Sequence, residues 1–251
     1  MLHLWVAMTF WLLVIVLTAW GVSQLWGGMI KPKTFNTLLL PGTLVAQTGH
    51  VVGLLVTGAT ISNTTLIKDD ESAAPETTSN PRPRIPILGP VIIGILPLLA
   101  CAVGVLLVAR YLSNPIPTGL RVDVVSDRLP ITLAGWWQLL RDLISLVESM
   151  VAAILSSNPA SWQVWLFGYL LVCLTIRMAP FPGYLRGSLG AIVVLGVGAT
   201  LITRLFDVAD PRVQSGWAVL NLTVATLLLL LLTSLVIRGA VGLVRVLRED
   251  G

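Results

Sequence analysis

Long runs without a formal charge divide this chain and limit what it can fold into. Residues 1–30, 34–67, 85–109, 149–176, 187–203 and 213–237 contain no Asp, Glu, Lys or Arg. A helix needs about 20 apolar residues to cross roughly 30 Å of hydrocarbon. Only 11% of the residues are charged, whereas a soluble domain has roughly 25%. We therefore predict one helical transmembrane domain that spans residues 1–251 and has the lipid bilayer as its solvent.

The charge-free runs place most of the membrane spans. We predict spans near residues 4–26, 37–60, 85–109, 162–176, 187–203 and 213–237. Residues 1–30 lack the basic start of a cleaved signal peptide, so we expect a retained first span.

The segment 131–155 allows two interpretations. It is long enough to span, but it carries Arg141, Asp142 and Glu148 on one arc of a helix, opposite an apolar face. It is either an interfacial helix or a span whose polar face is turned into the bundle. If it spans, the inside loops hold ten Lys and Arg and the outside loops hold five; otherwise the split is even. The positive-inside rule therefore favours an all-α bundle of about seven spans, with the N-terminus out and the C-terminus in.

The chain has one sizeable polar segment. Residues 61–86 are rich in Pro, Ser, Thr and acidic residues, which predicts a loop or a small hairpin outside the membrane. The basic residues are spread through short loops and form no patch, so we expect no nucleic-acid partner.

Three segments resemble the membrane-embedded zinc metalloproteases of the site-2-protease class. The stretch "FNTLLLPGTLVAQTGHVVGLLVTGATI" is similar to their first active-site helix, in which a Pro-Gly precedes His-Glu-x-x-His. The segments 87–107 and 169–195 are similar to their Pro-containing span and to the late segment that supplies a third metal ligand. The resemblance implies a bacterial inner-membrane protein with a metalloprotease-like fold.

The catalytic residues of that family are missing here. Ala46 replaces the first histidine, Gln47 replaces the general base, and Tyr184 takes the place of the third ligand, which leaves only His50. A catalytic zinc normally needs three protein ligands. The resemblance therefore implies a pseudoprotease, with no catalytic residue, no metal and no cofactor; a bound lipid or pigment of unknown identity is the alternative.

His50 lies inside a predicted span. A buried histidine is more often hydrogen-bonded to a neighbouring helix than a ligand, so binding of a metal or a pigment-like macrocycle is the minor alternative. Gly49 and Gly53 beside it form a Gly-x-x-x-Gly face. Such a face typically packs against another helix, so we predict that Gly49 and Gly53 contact either a helix of this chain or a partner protein.

Arg141, Ser145 and Glu148 form a polar stripe along the segment 131–155. We interpret it as structural, and as a candidate contact with a partner; an ion path is the alternative. The predicted function is a non-catalytic accessory or scaffold subunit that binds other integral membrane proteins, with an energy-transducing complex as one candidate host. The alternatives are an active intramembrane zinc protease and a small transporter that uses Glu148.

Overall fold

The computed structural model describes residues 2–27, 29–59, 61–65, 76–79, 88–112, 130–179, parts of 190–201, and 211–249. The principal helices are α1 (Leu2–Gly27), α2 (Pro32–Leu38), α3 (Leu40–Val56), α4 (Leu88–Tyr111), α5 (Leu133–Ser156), α6 (Trp162–Ile176) and α7 (Pro211–Glu249). Tyr184 and most of the predicted span 187–203 lie outside the described residues.

Among the described residues, three helices are long and apolar enough to cross a membrane. Their apolar portions are Trp5–Gly27, Gly89–Tyr111 and Val219–Leu243, and the bent pair of α2 and α3 raises the number to four. The prediction of a helical membrane protein is therefore confirmed. Seven spans, and the orientation derived from them, stay predictions. The 15-residue α6 extends for only about 22 Å at 1.5 Å per residue, which is shorter than the hydrocarbon layer.

The core lies where α1, α4, α6 and α7 meet. Trp11, Val105, Phe167 and Leu227, one from each helix, expose at most 1% of their surface. Since lipid solvates apolar side chains as well as a neighbouring helix does, close packing rather than the escape from water stabilises this core.

Two side-chain contacts attach α1 to its neighbours. The indole Nε1 of Trp26 donates a hydrogen bond of 2.7 Å to the hydroxyl of Ser234 on α7. The ring of Phe10 meets the ring of Trp136 on α5 edge to face, with 5.8 Å between the centroids. Hydrogen bonds between helices and aromatic pairs of this geometry are typical of helix contacts in membranes.

The polar segment 61–86 contains a β-hairpin. Strand β1 (Ile61–Thr65) pairs antiparallel with β2 (Glu76–Ser79). Of the two alternatives predicted for this segment, a loop or a small hairpin, the described residues form the hairpin.

Candidate functional site

The helix that begins with the Pro-Gly motif is bent at its start. Helices α2 and α3 meet at Leu39 with an angle of 78° between them, at a position predicted to lie within one continuous span. Pro41 has no backbone N–H and its ring crowds the preceding turn, so α2 cannot continue straight through it. Proline is tolerated in the first turn of a helix, which is its position in α3. We call residues 38–41 the elbow.

A row of polar side chains on α6 stabilises the elbow. The hydroxyl of Tyr169 donates a hydrogen bond of 2.7 Å to the Leu38 carbonyl oxygen, and the thiol of Cys173 donates a longer one, 3.6 Å, to the same oxygen. One turn further, the guanidinium Nη2 of Arg177 donates 2.7 Å to the side-chain oxygen of Asn36. A break in a helix at membrane depth is tolerated where protein neighbours satisfy the freed backbone groups, and α6 does this for the Leu38 carbonyl oxygen.

Gly42 lets α6 approach the elbow closely. A Cβ atom at this position would collide with the Cys173 carbonyl group. The Pro-Gly pair therefore has two structural functions: the proline ends α2, and the glycine admits the α6 backbone. Sequence analysis missed the role of Tyr169, Cys173 and Arg177. Their spacing of four residues, which places them on one helix face, is the signal that could have identified them.

The residues at the positions of the metalloprotease motif are buried on α3. Ala46 is fully buried in the core, Gln47 exposes 3% of its surface, and His50 exposes 5%. Gln47 and His50 each interact with another group of the protein. Within the described residues there is no group of three His, Cys, Asp or Glu side chains that could hold a metal ion.

The glycines next to His50 pack against α4. A Cβ atom on Gly49 would lie 2.6 Å from the Leu96 carbonyl oxygen, and one on Gly53 would lie 3.1 Å from the Ile93 Cα. Contacts this short mean that the two backbones touch, as at other small-residue faces in membranes. Helix α4 therefore occupies the space beside these glycines. The Gly49–Gly53 face therefore lies inside the chain and offers no surface to a partner.

The polar stripe of α5, formed by Arg141, Ser145 and Glu148, is exposed. The Arg141 guanidinium carbon lies 5.9 Å from the ring centroid of Trp137, a cation–π distance. No ion pair joins Arg141 to Glu148 in the described part of the chain. The prediction that this face would turn into the bundle, if the helix spans, does not agree with its exposure.

Helix α5 presents two other stripes. One is buried against the core and consists of Leu146, Met150 and Ala153. The other is apolar and exposed, and it contains Leu140, Ile144 and Val151. A helix with one protein-facing, one apolar and one polar side suits a boundary, either between lipid and water or between lipid and a second protein.

Comparison with protein-family models, with curated proteins and with solved structures finds no match to this chain. The resemblance to zinc metalloproteases therefore stays a prediction from the sequence.

Proposed function

We propose that this protein is a non-catalytic integral membrane subunit that associates with other membrane proteins through the polar stripe of α5. The observation that carries the proposal is the exposure of Arg141, Ser145 and Glu148 along the middle of the 24-residue helix α5. A charged side chain at the centre of a bilayer costs about 2.5–3.5 kcal/mol or more. A partner with complementary polar groups removes that cost.

The buried small-residue face of α3 supports the same assignment. Association in a bilayer requires close backbone approach or hydrogen bonding, because apolar area alone drives none. Gly49 and Gly53 already make their close approach to α4 within the chain. The α5 stripe, in contrast, still offers polar groups to a second protein.

The residues at the protease positions favour a non-catalytic function. Alanine cannot ligate a metal and glutamine cannot accept a proton at neutral pH, so Ala46 and Gln47 do not supply what a zinc hydrolase needs. The transporter alternative requires Glu148 to face a path through the bundle, whereas Glu148 lies exposed on the outer side of α5. No observation of the described residues favours the protease or the transporter.

Photo-crosslinking in native membranes tests the proposal. A photoreactive phenylalanine analogue at Ser145 should give a protein adduct of defined mass. The matched control is the same analogue at Leu232, which is also exposed but lies on the apolar α7, and it should label lipid. Replacing Glu148 with Gln should weaken the Ser145 adduct. Native mass spectrometry should then show the same partner bound. A monomer that gives no protein adduct from Ser145 would rule out the subunit proposal and favour an interfacial α5.

A further inference from the structure

An apolar cavity lies between the C-terminal half of α5, the start of α6 and the middle of α7. Its volume is about 620 Å³, within the usual range of small-molecule sites of roughly 300–1,000 Å³. Its walls include Ile154 of α5, Val172 of α6 and Leu229 of α7, and none of the described residues that line it is charged. A charged or strongly polar ligand would therefore find no complementary group here.

The few polar groups around the cavity already have partners within the chain. The Trp165 indole Nε1 donates 2.9 Å to the Pro159 carbonyl oxygen. The Thr226 hydroxyl donates 2.7 Å to the Leu222 carbonyl oxygen, and the Tyr169 hydroxyl bonds to the elbow as described above. A buried water needs two to four polar partners, and apolar cavities stay dry. The cavity is thus suited to a hydrocarbon rather than to water.

Two tryptophans mark the depth of one end of the cavity. Trp162 and Trp165, at the start of α6, expose 67% and 68% of their surface, and exposed tryptophans of membrane proteins sit at the level of the lipid headgroups. From Trp165 the cavity follows α6 as far as Val172, a distance of about 10 Å at 1.5 Å per residue. It therefore extends from headgroup depth into the hydrocarbon layer, as a lipid chain does.

Gly168 keeps the middle of this path open. A Cβ atom at position 168 would meet nothing within 4 Å, although the residue lines the cavity between three helices. Glycine also weakens a helix by up to about 1 kcal/mol relative to alanine. The first atom of a larger side chain at this position would therefore find open space beside the cavity.

We propose that this cavity binds one acyl chain of a membrane phospholipid, whose headgroup lies at the level of Trp162 and Trp165. The lining supplies dispersion contacts along the chain and no hydrogen bond, so the site selects for a hydrocarbon chain and not for a headgroup. The proposal is independent of the function proposed above, because the cavity and the polar stripe of α5 are formed by different residues.

Native mass spectrometry of the whole protein, extracted in mild detergent, tests the proposal. The unmodified chain should carry one phospholipid-mass adduct. Gly168→Phe should lower the fraction with the adduct by about tenfold or more, because the ring occupies the space of the chain. Gly239→Phe is the matched control, since Gly239 also has open space around it but lies on α7 and does not line the cavity. It should retain the adduct.

A second measurement needs no variant. A phospholipid with a diazirine in the middle of one acyl chain is added to membranes that contain the protein. The membranes are then illuminated, and the labelled peptides are mapped. Val172 and Leu229 line the cavity and are only partly exposed, so a chain held in the cavity should label them more strongly than freely exposed apolar residues. Labels at these residues are expected. Three results would each overturn the proposal. They are equal adducts in the two glycine variants, an adduct with the mass of a free fatty acid, and labels confined to exposed residues such as Val236.

Discussion

Replacing Gly49 with alanine tests whether the α3–α4 contact depends on a missing side chain. The new Cβ atom would lie 2.6 Å from the Leu96 carbonyl oxygen and 2.9 Å from the Ala100 Cβ. Both distances are shorter than any ordinary van der Waals contact, and the first one involves backbone that cannot rotate away. The two helices must therefore separate by several tenths of an ångström along their shared face.

The magnitude follows from two opposing effects. Overpacking a well-filled interface costs about 1–3 kcal/mol. Alanine regains up to about 1 kcal/mol of helix propensity over glycine. We expect Gly49→Ala to lower the free energy of unfolding by about 1–2 kcal/mol, because separation also weakens dispersion contacts along the rest of the interface. At Gly53 the corresponding contact, 3.1 Å to the Ile93 Cα, is less severe, so Gly53→Ala should cost less.

Reversible unfolding in mixed micelles, followed by circular dichroism, measures these differences. Gly168→Ala is the matched control, since its Cβ atom meets nothing within 4 Å and the variant should be as stable as the unmodified chain or slightly more so. The order of stability should be Gly168→Ala, then Gly53→Ala, then Gly49→Ala. If Gly49→Ala proves as stable as Gly168→Ala, the close approach of α3 and α4 is not what holds this face together.

Three further predictions concern the elbow, the metal and the topology. Tyr169→Phe removes the 2.7 Å hydrogen bond to the Leu38 carbonyl oxygen and should lower the free energy of unfolding by about 1 kcal/mol, with faster hydrogen exchange at the elbow as its local readout. Elemental analysis should find well under one zinc per chain, because His50 is the only ligand left at the three family positions. Reporter fusions after Pro86 and after Arg248 should fall on opposite sides of the membrane; signals on the same side would contradict seven spans.

The sequence predicts the three long apolar helices well. The runs 4–26, 85–109 and 213–237 correspond to helices whose apolar portions are Trp5–Gly27, Gly89–Tyr111 and Val219–Leu243. The reason is that insertion into lipid depends on local hydropathy, and a helix satisfies its own backbone hydrogen bonds. Nothing distant in the chain is needed to recognise such a segment.

The bend between α2 and α3 could not be predicted in the same way. The run 37–60 is as free of charge as the other apolar runs, and a proline near the start of a span is compatible with an unbroken helix. What stabilises the bend is a tyrosine and a cysteine more than 130 residues away, which donate to the Leu38 carbonyl oxygen. Such contacts between distant segments carry no local signal, although Pro41 and Gly42 mark the position where a bend is allowed.

The same reasoning explains why one predicted contact face lies inside the chain and the other outside. A Gly-x-x-x-Gly pattern predicts that a second backbone packs closely against the helix, but it does not tell which helix supplies that backbone. Here α4, the next helix along the chain, supplies it. The α5 stripe differs because its groups need charge and hydrogen-bond complements, and no ion pair within the described residues supplies one. Arg141 and Glu148 are seven residues apart, about two helical turns. A partner helix that satisfies both must therefore present an acidic group next to Arg141 and a basic or amide group next to Glu148. These two groups must lie about 10 Å apart along the partner helix. That geometric requirement gives the proposed association a specificity that small-residue packing alone does not provide.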